Sequence, residues 1–306
     1  MSLDTYANLK TAVQDWIIRN GDSDFTSAAD DILDLAEARI HYGAFGPFAS
    51  DPLRIRAMEA QTILKTGAAQ DGGTSGGSAN AQTVTLGTAP TLAVGLTISF
   101  TAGFSNSGAM TLNANGTGDV AVRKNSARDA LASGDVLSGA PHTVYYDGTY
   151  YVLVPGPGYV PLPSDFLAMR SIYIDGSPDT PLTQTSTFAV TAFDEDNADK
   201  PAEYALDGDL IHFSPAPDDT YYLKATYWKK FPALSGSQTT NWLLTNAPNA
   251  YLYGCLLEGS IYVKNFQEAQ TYHGFFMSAI GGLVKSSRMD RYSGAPLRMR
   301  VGGMIA

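Results

Sequence analysis

Residues 65–86 read KTGAAQDGGTSGGSANAQTVTL, and the role of this stretch decides how the chain is divided into domains. It follows two helical patterns and an extended segment, and it holds few side chains that a hydrophobic core could use. Glycine and small polar residues at this density are typical of connecting segments. The stretch is therefore either a linker between two independent domains or the first strap of an insertion within one domain.

The sequence before this stretch predicts two amphipathic helices, in residues 3–20 and 27–43. Ser27 and Asp30 have the spacing of a capping box at the start of the second helix. The apolar stripes consist of Tyr6, Leu9, Val13, Trp16 and Ile17 in the first helix and of Ile32, Leu33, Ala36 and Ile40 in the second. Two short helices cannot bury both stripes on each other alone, so they need partners from elsewhere in the chain.

Residues 67–158 differ from the rest of the chain in composition. They hold 16 of the 30 glycines and only three Lys or Arg, with apolar β-forming runs such as TVTLGTAPTLAVGLTISF. Within them HTVYYDGTYYVLV predicts a hairpin with Asp147-Gly148 as its two-residue turn. The segment closes at PGPGYVPLP, residues 155–163, a second cluster of turn residues. We interpret residues 67–154 as an inserted β-domain that extends outward between two glycine-rich straps.

The sequence after this second cluster predicts strands first and helices last. Residues 171–176, 186–193 and 220–231 look like strands, and residues 203–215 predict a hairpin around Asp207-Gly208. A helix then follows Asn246 as its cap, with Pro248 in its first turn, and Asn265 with Glu268 has the capping-box spacing before a last helix.

Helices at both chain ends can cover one another's apolar stripes, provided that the intervening chain loops out and returns. The predicted fold class is therefore α+β. It consists of a helical bundle formed by both chain ends, a small antiparallel β-region and a separate inserted all-β domain.

Composition limits the classes of function. The net charge of −10 argues against a protein that grips nucleic acid through phosphate contacts. A single cysteine, Cys255, excludes an intrachain disulfide. With no run of 18 apolar residues and no apolar segment at the N-terminus, the sequence predicts neither a membrane span nor an ordinary secretion signal.

Motifs that would indicate catalysis or a cofactor are weak. Gly116, Gly118 and Ala121 match G-x-G-x-x-A, but a strand-like run follows where the nucleotide-binding motif needs a helix. The acidic run DEDNAD, residues 194–199, lacks the glycine and glutamate of a calcium loop. His41, His142, His212 and His273 have no metal-ligand spacing, and neither G-x-S-x-G nor H-E-x-x-H occurs. We therefore expect no enzyme activity, no cofactor and no metal.

The C-terminal segment SSRMDRYSGAPLRMRVGG is basic and leaves two interpretations open. It is a frayed soluble tail, or it is an arm that docks on a partner. The docking interpretation rests on apolar residues that alternate with basic ones. Its residues are Arg288, Arg291, Tyr292, Pro296, Leu297, Arg298, Met299 and Arg300.

Several stretches, in order, resemble the head-to-tail adaptor (connector) proteins of short-tailed bacteriophages. They are YANLKTAVQDWIIR, ILDLAEARIHYG followed by LRIRAME, YVPLPSDFLAMRSIYIDG, YALDGDLIHFSPAPDDTYYLKATYWKKFPALS, NWLLTNAPNAYLYGCLLEGSIYVKN and RYSGAPLRMR. Together they cover most of residues 3–64 and 159–300. In the family, the equivalents of RAME and YVPLPSDFL are nearly adjacent, whereas about ninety residues separate them here. NSGAMTLNANGTG and VYYDGTYYVLV resemble small β-modules of phage tail-fibre proteins.

The resemblance implies a structural virion protein at the head–tail junction, made in the host cytoplasm. Twelve copies would form a ring beneath the portal, extend the DNA channel and offer a platform to the tail nozzle and, through the insert, to fibres. Double-stranded DNA would pass the lumen without specific binding. Residues 1–66 and 155–306 would be the adaptor body, with the arm 286–306 reaching the portal, and residues 67–154 the insert. The alternative is a tail-fibre or receptor-binding component whose β-module binds a host or fibre ligand.

Overall fold

The computed structural model describes residues 3–18, 21–192 and 198–292. The fold is mixed α+β, as predicted. The chain divides into two compact units: a terminal unit, residues 1–59 and 228–306, and a central unit, residues 60–227. The helices of the described residues are α1 (Tyr6–Trp16), α2 (Ser23–Tyr42), α3 (Thr187–Ala192), α4 (Trp242–Asn246), α5 (Pro248–Tyr262) and α6 (Phe266–Tyr292).

In the terminal unit, α5 is the helix around which the others pack. It contacts α1, α2, α4 and α6, and it is buried on nearly every side. Gly254 and Gly259 allow this close approach. A Cβ at Gly254 would lie 3.4 Å from the Ala36 Cβ, and one at Gly259 would lie 2.5 Å from the Ile17 Cδ1.

Two of the three predicted helix caps are wrong. α2 begins one turn before Ser27, because the Asp22 carboxylate accepts hydrogen bonds from the backbone N–H groups of Asp24 and Phe25. Asn246 is the last residue of α4 and does not cap α5. The Asn265 prediction is confirmed, since its Oδ1 accepts from the Glu268 N–H at 3.3 Å.

The central unit contains a nine-stranded sheet built from residues 69–154. Its path runs β2-β5-β9-β10-β7-β6-β4-β3, with β8 paired to β7. Pairing is parallel at β2–β5, β7–β10 and β4–β6 and antiparallel elsewhere on this path. The strands are β2 (Ala69–Thr74), β3 (Gly76–Ser78), β4 (Ala81–Val84), β5 (Thr97–Thr101), β6 (Met110–Ala114), β7 (Val120–Lys124), β8 (Asp129–Ala130), β9 (Pro141–Tyr146) and β10 (Tyr151–Val154).

This sheet curls into a nearly closed barrel, which corrects the interpretation of residues 65–86 as a loose strap. They form β2, β3 and β4. A Cβ on Gly72 of β2 would lie 3.1 Å from the Val84 Cβ of β4, and one on Gly67 would lie 2.3 Å from the Gly95 carbonyl oxygen. These two glycines allow close backbone packing, and they do not serve a loose connection.

The described residues also form two four-stranded sheets. One has the order β1-β17-β12-β13 and the other β11-β16-β15-β14. Their strands are β1 (Glu59–Lys65), β12 (Phe166–Ile174), β13 (Thr180–Pro181) and β17 (Tyr222–Lys229), and β11 (Tyr159–Pro161), β14 (Thr183–Gln184), β15 (Glu203–Asp207) and β16 (Leu210–Ser214).

Residues on both sides of the predicted insert boundary share one core. Tyr145 and Val154 are buried in the cluster that contains Val160, Leu162 and Phe213. The Tyr145 hydroxyl also donates to the Lys65 carbonyl oxygen at 2.7 Å. The nine-stranded sheet is therefore packed onto its neighbours within the central unit by apolar side chains.

Both predicted hairpins form, with loops that differ in detail. The first has a four-residue loop, because Tyr146 pairs with Tyr151 and the Asp147 carboxylate accepts from two loop N–H groups. The second has the two-residue loop Gly208–Asp209. The strand predicted for residues 186–193 is wrong. Its described part is α3, and the Ser186 hydroxyl accepts from the Ala189 N–H at 3.2 Å.

Candidate docking surface

A groove of about 640 Å³ runs along the C-terminal half of α6 in the terminal unit. We call it the α6 groove. Its wall is apolar, formed chiefly by Trp228, Met277, Ile280 and Val284. Four basic residues and one acidic residue line it as well: Arg54, Lys285, Arg288, Arg291 and Asp51. The groove therefore combines an apolar wall with a net positive edge.

Arg291 is bound within the unit. Its guanidinium forms an ion pair with Glu59 and lies over the Trp228 ring, 5.5 Å from the ring centroid. A hydrogen bond of 2.8 Å from the Arg56 N–H to the Ser287 hydroxyl joins the same helix to the short 3-10 turn Arg56–Met58. These contacts fix the last turns of α6 against the chain that follows α2.

Of the three other cations of the groove, one is bonded within the unit and two are exposed. Arg54 donates to the carbonyl oxygens of His41 and Leu53, at 2.9 and 2.7 Å, and burial lowers the pKa of its guanidinium. Lys285 and Arg288 are exposed. Within the described parts of the chain, none of the three forms an ion pair with a carboxylate.

A buried polar network joins α2 to residues 231–234 and to α5. The Glu37 carboxylate of α2 accepts from the Leu234 N–H and from the Tyr251 hydroxyl, both at 3.0 Å. Burial raises the pKa of Glu37. The Nε2 of His41, one turn further along α2, accepts from the Phe231 N–H at 3.2 Å. These bonds attach residues 231–234 to α2.

A buried ion pair joins α2 to α5. The Arg39 Nε lies 2.5 Å from the Glu258 Oε1, and the Arg39 Nη1 donates to the Phe48 carbonyl oxygen at 2.6 Å. A buried pair of this kind fixes geometry more reliably than it adds stability.

The structure places three of the predicted arm residues on α6. Arg288, Arg291 and Tyr292 lie in its last turns, so residues 286–292, the first part of the predicted arm, are helical. Pro296, Leu297, Arg298, Met299 and Arg300 lie outside the described residues. The sequence did not indicate Arg54 or Trp228, because only the fold brings them beside the end of α6. Lys285 lies on α6 itself, one turn before Arg288, and was not singled out.

The residues weighed for catalysis have structural roles where the structure describes them. Cys255 is buried in α5, and burial raises the pKa of its thiol. His273 bonds the Ala49 carbonyl oxygen at 2.8 Å, and His212 stacks on Tyr159. Gly116 and Gly118 occupy the turn between β6 and β7. Among the described residues, no cluster of three or more His, Cys, Asp or Glu could hold a metal ion.

No helix within the described ranges has the length and apolarity needed to span a membrane.

In comparison with known proteins, the chain matches one family model. A family model described as SU10 adaptor protein matches residues 125–300, which is more than half of the chain. The match begins within the predicted insert and runs through the β15–β16 hairpin, α5 and α6, so it includes the α6 side of the groove but not Asp51, Pro52 and Arg54. No curated protein matches the chain.

Proposed function

Because the chain belongs to the SU10 adaptor protein family, a family of phage adaptor proteins, we propose that it forms a ring beneath the portal and joins the phage head to the tail. The family membership confirms the sequence resemblance to head-to-tail adaptors. In the proposed role, twelve copies extend the DNA channel and offer a platform to the tail nozzle and fibres. Double-stranded DNA passes through the lumen without specific binding, and no catalytic step is involved.

The family match over residues 125–300 carries this proposal. The terminal unit adds physical support, because it exposes large apolar side chains that a single copy does not cover. Phe45 is fully exposed at the tip of a turn closed by two backbone hydrogen bonds between Ala44 and Ser50. Trp16, Leu35 and Phe266 are each at least half exposed. A repeated interface around a ring axis would cover such side chains.

The same proposal assigns roles to the parts of the chain. Helices from both chain ends form the bundle of the adaptor body, and residues 67–154 are an inserted β-domain that faces outward. The C-terminal arm docks on the portal through the candidate residues from Arg288 to Arg300. The packing of α5 against α1, α2 and α6 supports the first assignment.

Purified protein, alone and with purified portal, tests the proposal by mass photometry and negative-stain electron microscopy. The expected result is a closed ring, alone or on the portal, with twelve copies. A protein that stays monomeric under both conditions would overturn it. If the protein does not bind the portal but binds fibres or host cells, the tail-fibre or receptor-binding alternative is favoured.

A further inference from the structure

The charge of this chain is distributed unevenly between its two units. The central unit, residues 60–227, holds 17 of the 30 Asp and Glu but only 7 of the 20 Lys and Arg. The terminal unit holds 13 of each kind, so the whole net charge of −10 belongs to the central unit. Within the terminal unit, residues 228–306 hold eight Lys or Arg against three Asp or Glu. One molecule thus carries a strongly acidic part and a basic C-terminal part.

The chemistry of the α6 groove defines its partner. Lys285 and Arg288 are exposed and form no ion pair within the described residues, so they offer two uncompensated cations to an anionic surface. In the apolar wall, Met277 and Val284 are partly exposed and Met289 is exposed. These side chains favour a protein surface that carries apolar groups over a nucleic-acid backbone of charged phosphates. The partner is therefore an acidic protein surface that also carries apolar side chains.

The central unit presents such a surface next to β17. Asp218 and Asp219 form no ion pair with a cation in the described part of the chain, whereas Asp175 and Asp179 share Lys224. The half-exposed ring of Tyr222 lies three residues further along the chain, with the Lys65 Nζ 5.5 Å from its centroid. A hydrogen bond to Asp218, burial and the charges of Asp218, Asp219 and Asp199 together raise the pKa of Tyr221 to about 12.

We propose that the α6 groove receives the acidic central unit of a second copy of this chain. The inference rests on the proposed ring, and it names the surface through which neighbouring copies join. The contact is heterologous, because each copy offers its groove to one neighbour and its acidic surface to the other. Such contacts close into a ring when the rotation between copies permits. Complementary charge fixes the register and speeds association.

Charge reversal in the groove is the first test. The Lys285→Glu/Arg288→Glu variant keeps the apolar wall but reverses the two exposed cations. We expect the association constant between its copies to fall by about tenfold or more. It is measured by sedimentation velocity or, on the portal, as the cooperativity between successive copies, because Arg288 is also a candidate portal contact. Arg288→Glu and Lys264→Glu are matched single variants with the same change in charge, and Lys264 is exposed outside the groove. Only Arg288→Glu is expected to weaken association, and thermal unfolding checks that both variants fold.

Mixing two defective variants is the second test, and it identifies the occupant of the groove. The Lys285→Glu/Arg288→Glu variant, called the groove variant, keeps its acidic surface. The Asp218→Lys/Asp219→Lys variant keeps its groove. Each alone should stay monomeric. A mixture should associate, because the unsubstituted groove of one variant meets the unsubstituted acidic surface of the other, and the two charge-reversed surfaces are again opposite in charge.

The outcomes separate this inference from the ring itself. Rings formed by the Lys285→Glu/Arg288→Glu variant at the level of the unsubstituted protein would overturn the groove assignment and leave the ring proposal intact. A mixture that does not associate, or a groove variant that loses only portal or DNA binding, would overturn the second copy as occupant. An unsubstituted protein that never assembles, alone or on the portal, would overturn the proposed function.

Discussion

Two buried tyrosines of the central unit differ in the state of their hydroxyl groups. The Tyr145 hydroxyl donates to the Lys65 carbonyl oxygen, whereas the Tyr151 hydroxyl has no hydrogen-bond partner among the described residues. An unsatisfied buried polar group costs about 1–3 kcal/mol. We expect Tyr151→Phe to leave the free energy of unfolding unchanged or to raise it. Tyr145→Phe should lower it by about 1 kcal/mol.

Urea denaturation monitored by tyrosine fluorescence or circular dichroism measures both variants, and each is the control for the other. A Tyr151→Phe variant less stable than Tyr145→Phe would contradict the assignment of the two hydroxyls.

His41 makes the stability of the terminal unit depend on pH. Burial, together with the charges of Lys230 and Arg54, lowers its pKa from 6.5 to about 4. The unfolded chain therefore binds a proton first as the pH falls. The stability from a neutral His41 is complete above pH 6.5 and is lost between pH 6.5 and 4, by about 3 kcal/mol.

The matched variant is His41→Gln, whose amide oxygen can still accept from the Phe231 N–H. The difference in unfolding free energy between the two proteins should shrink across this window, measured by urea denaturation at several pH values. The raised pKa of Glu37 acts in the opposite direction, but it is present in both proteins. A constant difference from pH 7 to pH 4 would contradict the buried neutral imidazole.

At the scale of secondary-structure elements, the glycines of residues 65–86 distinguish a packed strand from a loose strap. Gly67 faces the Gly95 carbonyl oxygen, and a Cβ there would overlap it at 2.3 Å. We expect Gly67→Ala to lower the unfolding free energy of the central unit by about 1–3 kcal/mol. Gly87→Ala is the control, since no described atom lies within 4 Å of its Cβ position. Equal melting temperatures for the two variants would restore the loose-strap interpretation.

The start of α6 depends on a single cap. Asn265→Ala removes the acceptor of the Glu268 N–H and should cost about 1 kcal/mol. Asn246→Ala is the matched change at the residue that the sequence wrongly indicated as a cap, and it should have a smaller effect. Thermal unfolding compares the two, and a larger loss for Asn246→Ala would contradict the structure.

The sequence predicted elements well where a local signal is strong. Both Asp-Gly hairpins form, and the stripes of α1, α2 and α5 include the buried residues Leu9, Ile32 and Leu256. It failed where β-forming side chains occur in a short helix: residues 186–193 are rich in Thr, Phe and Val, yet the Ser186 hydroxyl caps α3. It also could not find the α6 groove, since Arg54 and Trp228 meet the end of α6 only after the chain has folded.

At the scale of the whole molecule, the two units have cores of their own. Ile98 lies in the core of the nine-stranded sheet, and Leu256 lies in α5, and both are fully buried. Ile98→Ala and Leu256→Ala should each destabilise their own unit by about 2–5 kcal/mol. Because each unit is compact by itself, hydrogen exchange should rise mainly where the substitution lies.

Hydrogen-exchange mass spectrometry measures the exchange rate of each peptide in both variants. With Ile98→Ala, peptides of β5, β6 and β9 should exchange faster, and those of α2 and α5 should keep their protection. Leu256→Ala should give the reverse pattern. A uniform rise in both variants would mean that the chain unfolds as one cooperative unit. In that event, a substitution that destabilises the acidic central unit would also destabilise the α6 groove. The unfolding free energy of each charge-reversal variant would then have to be measured for both units.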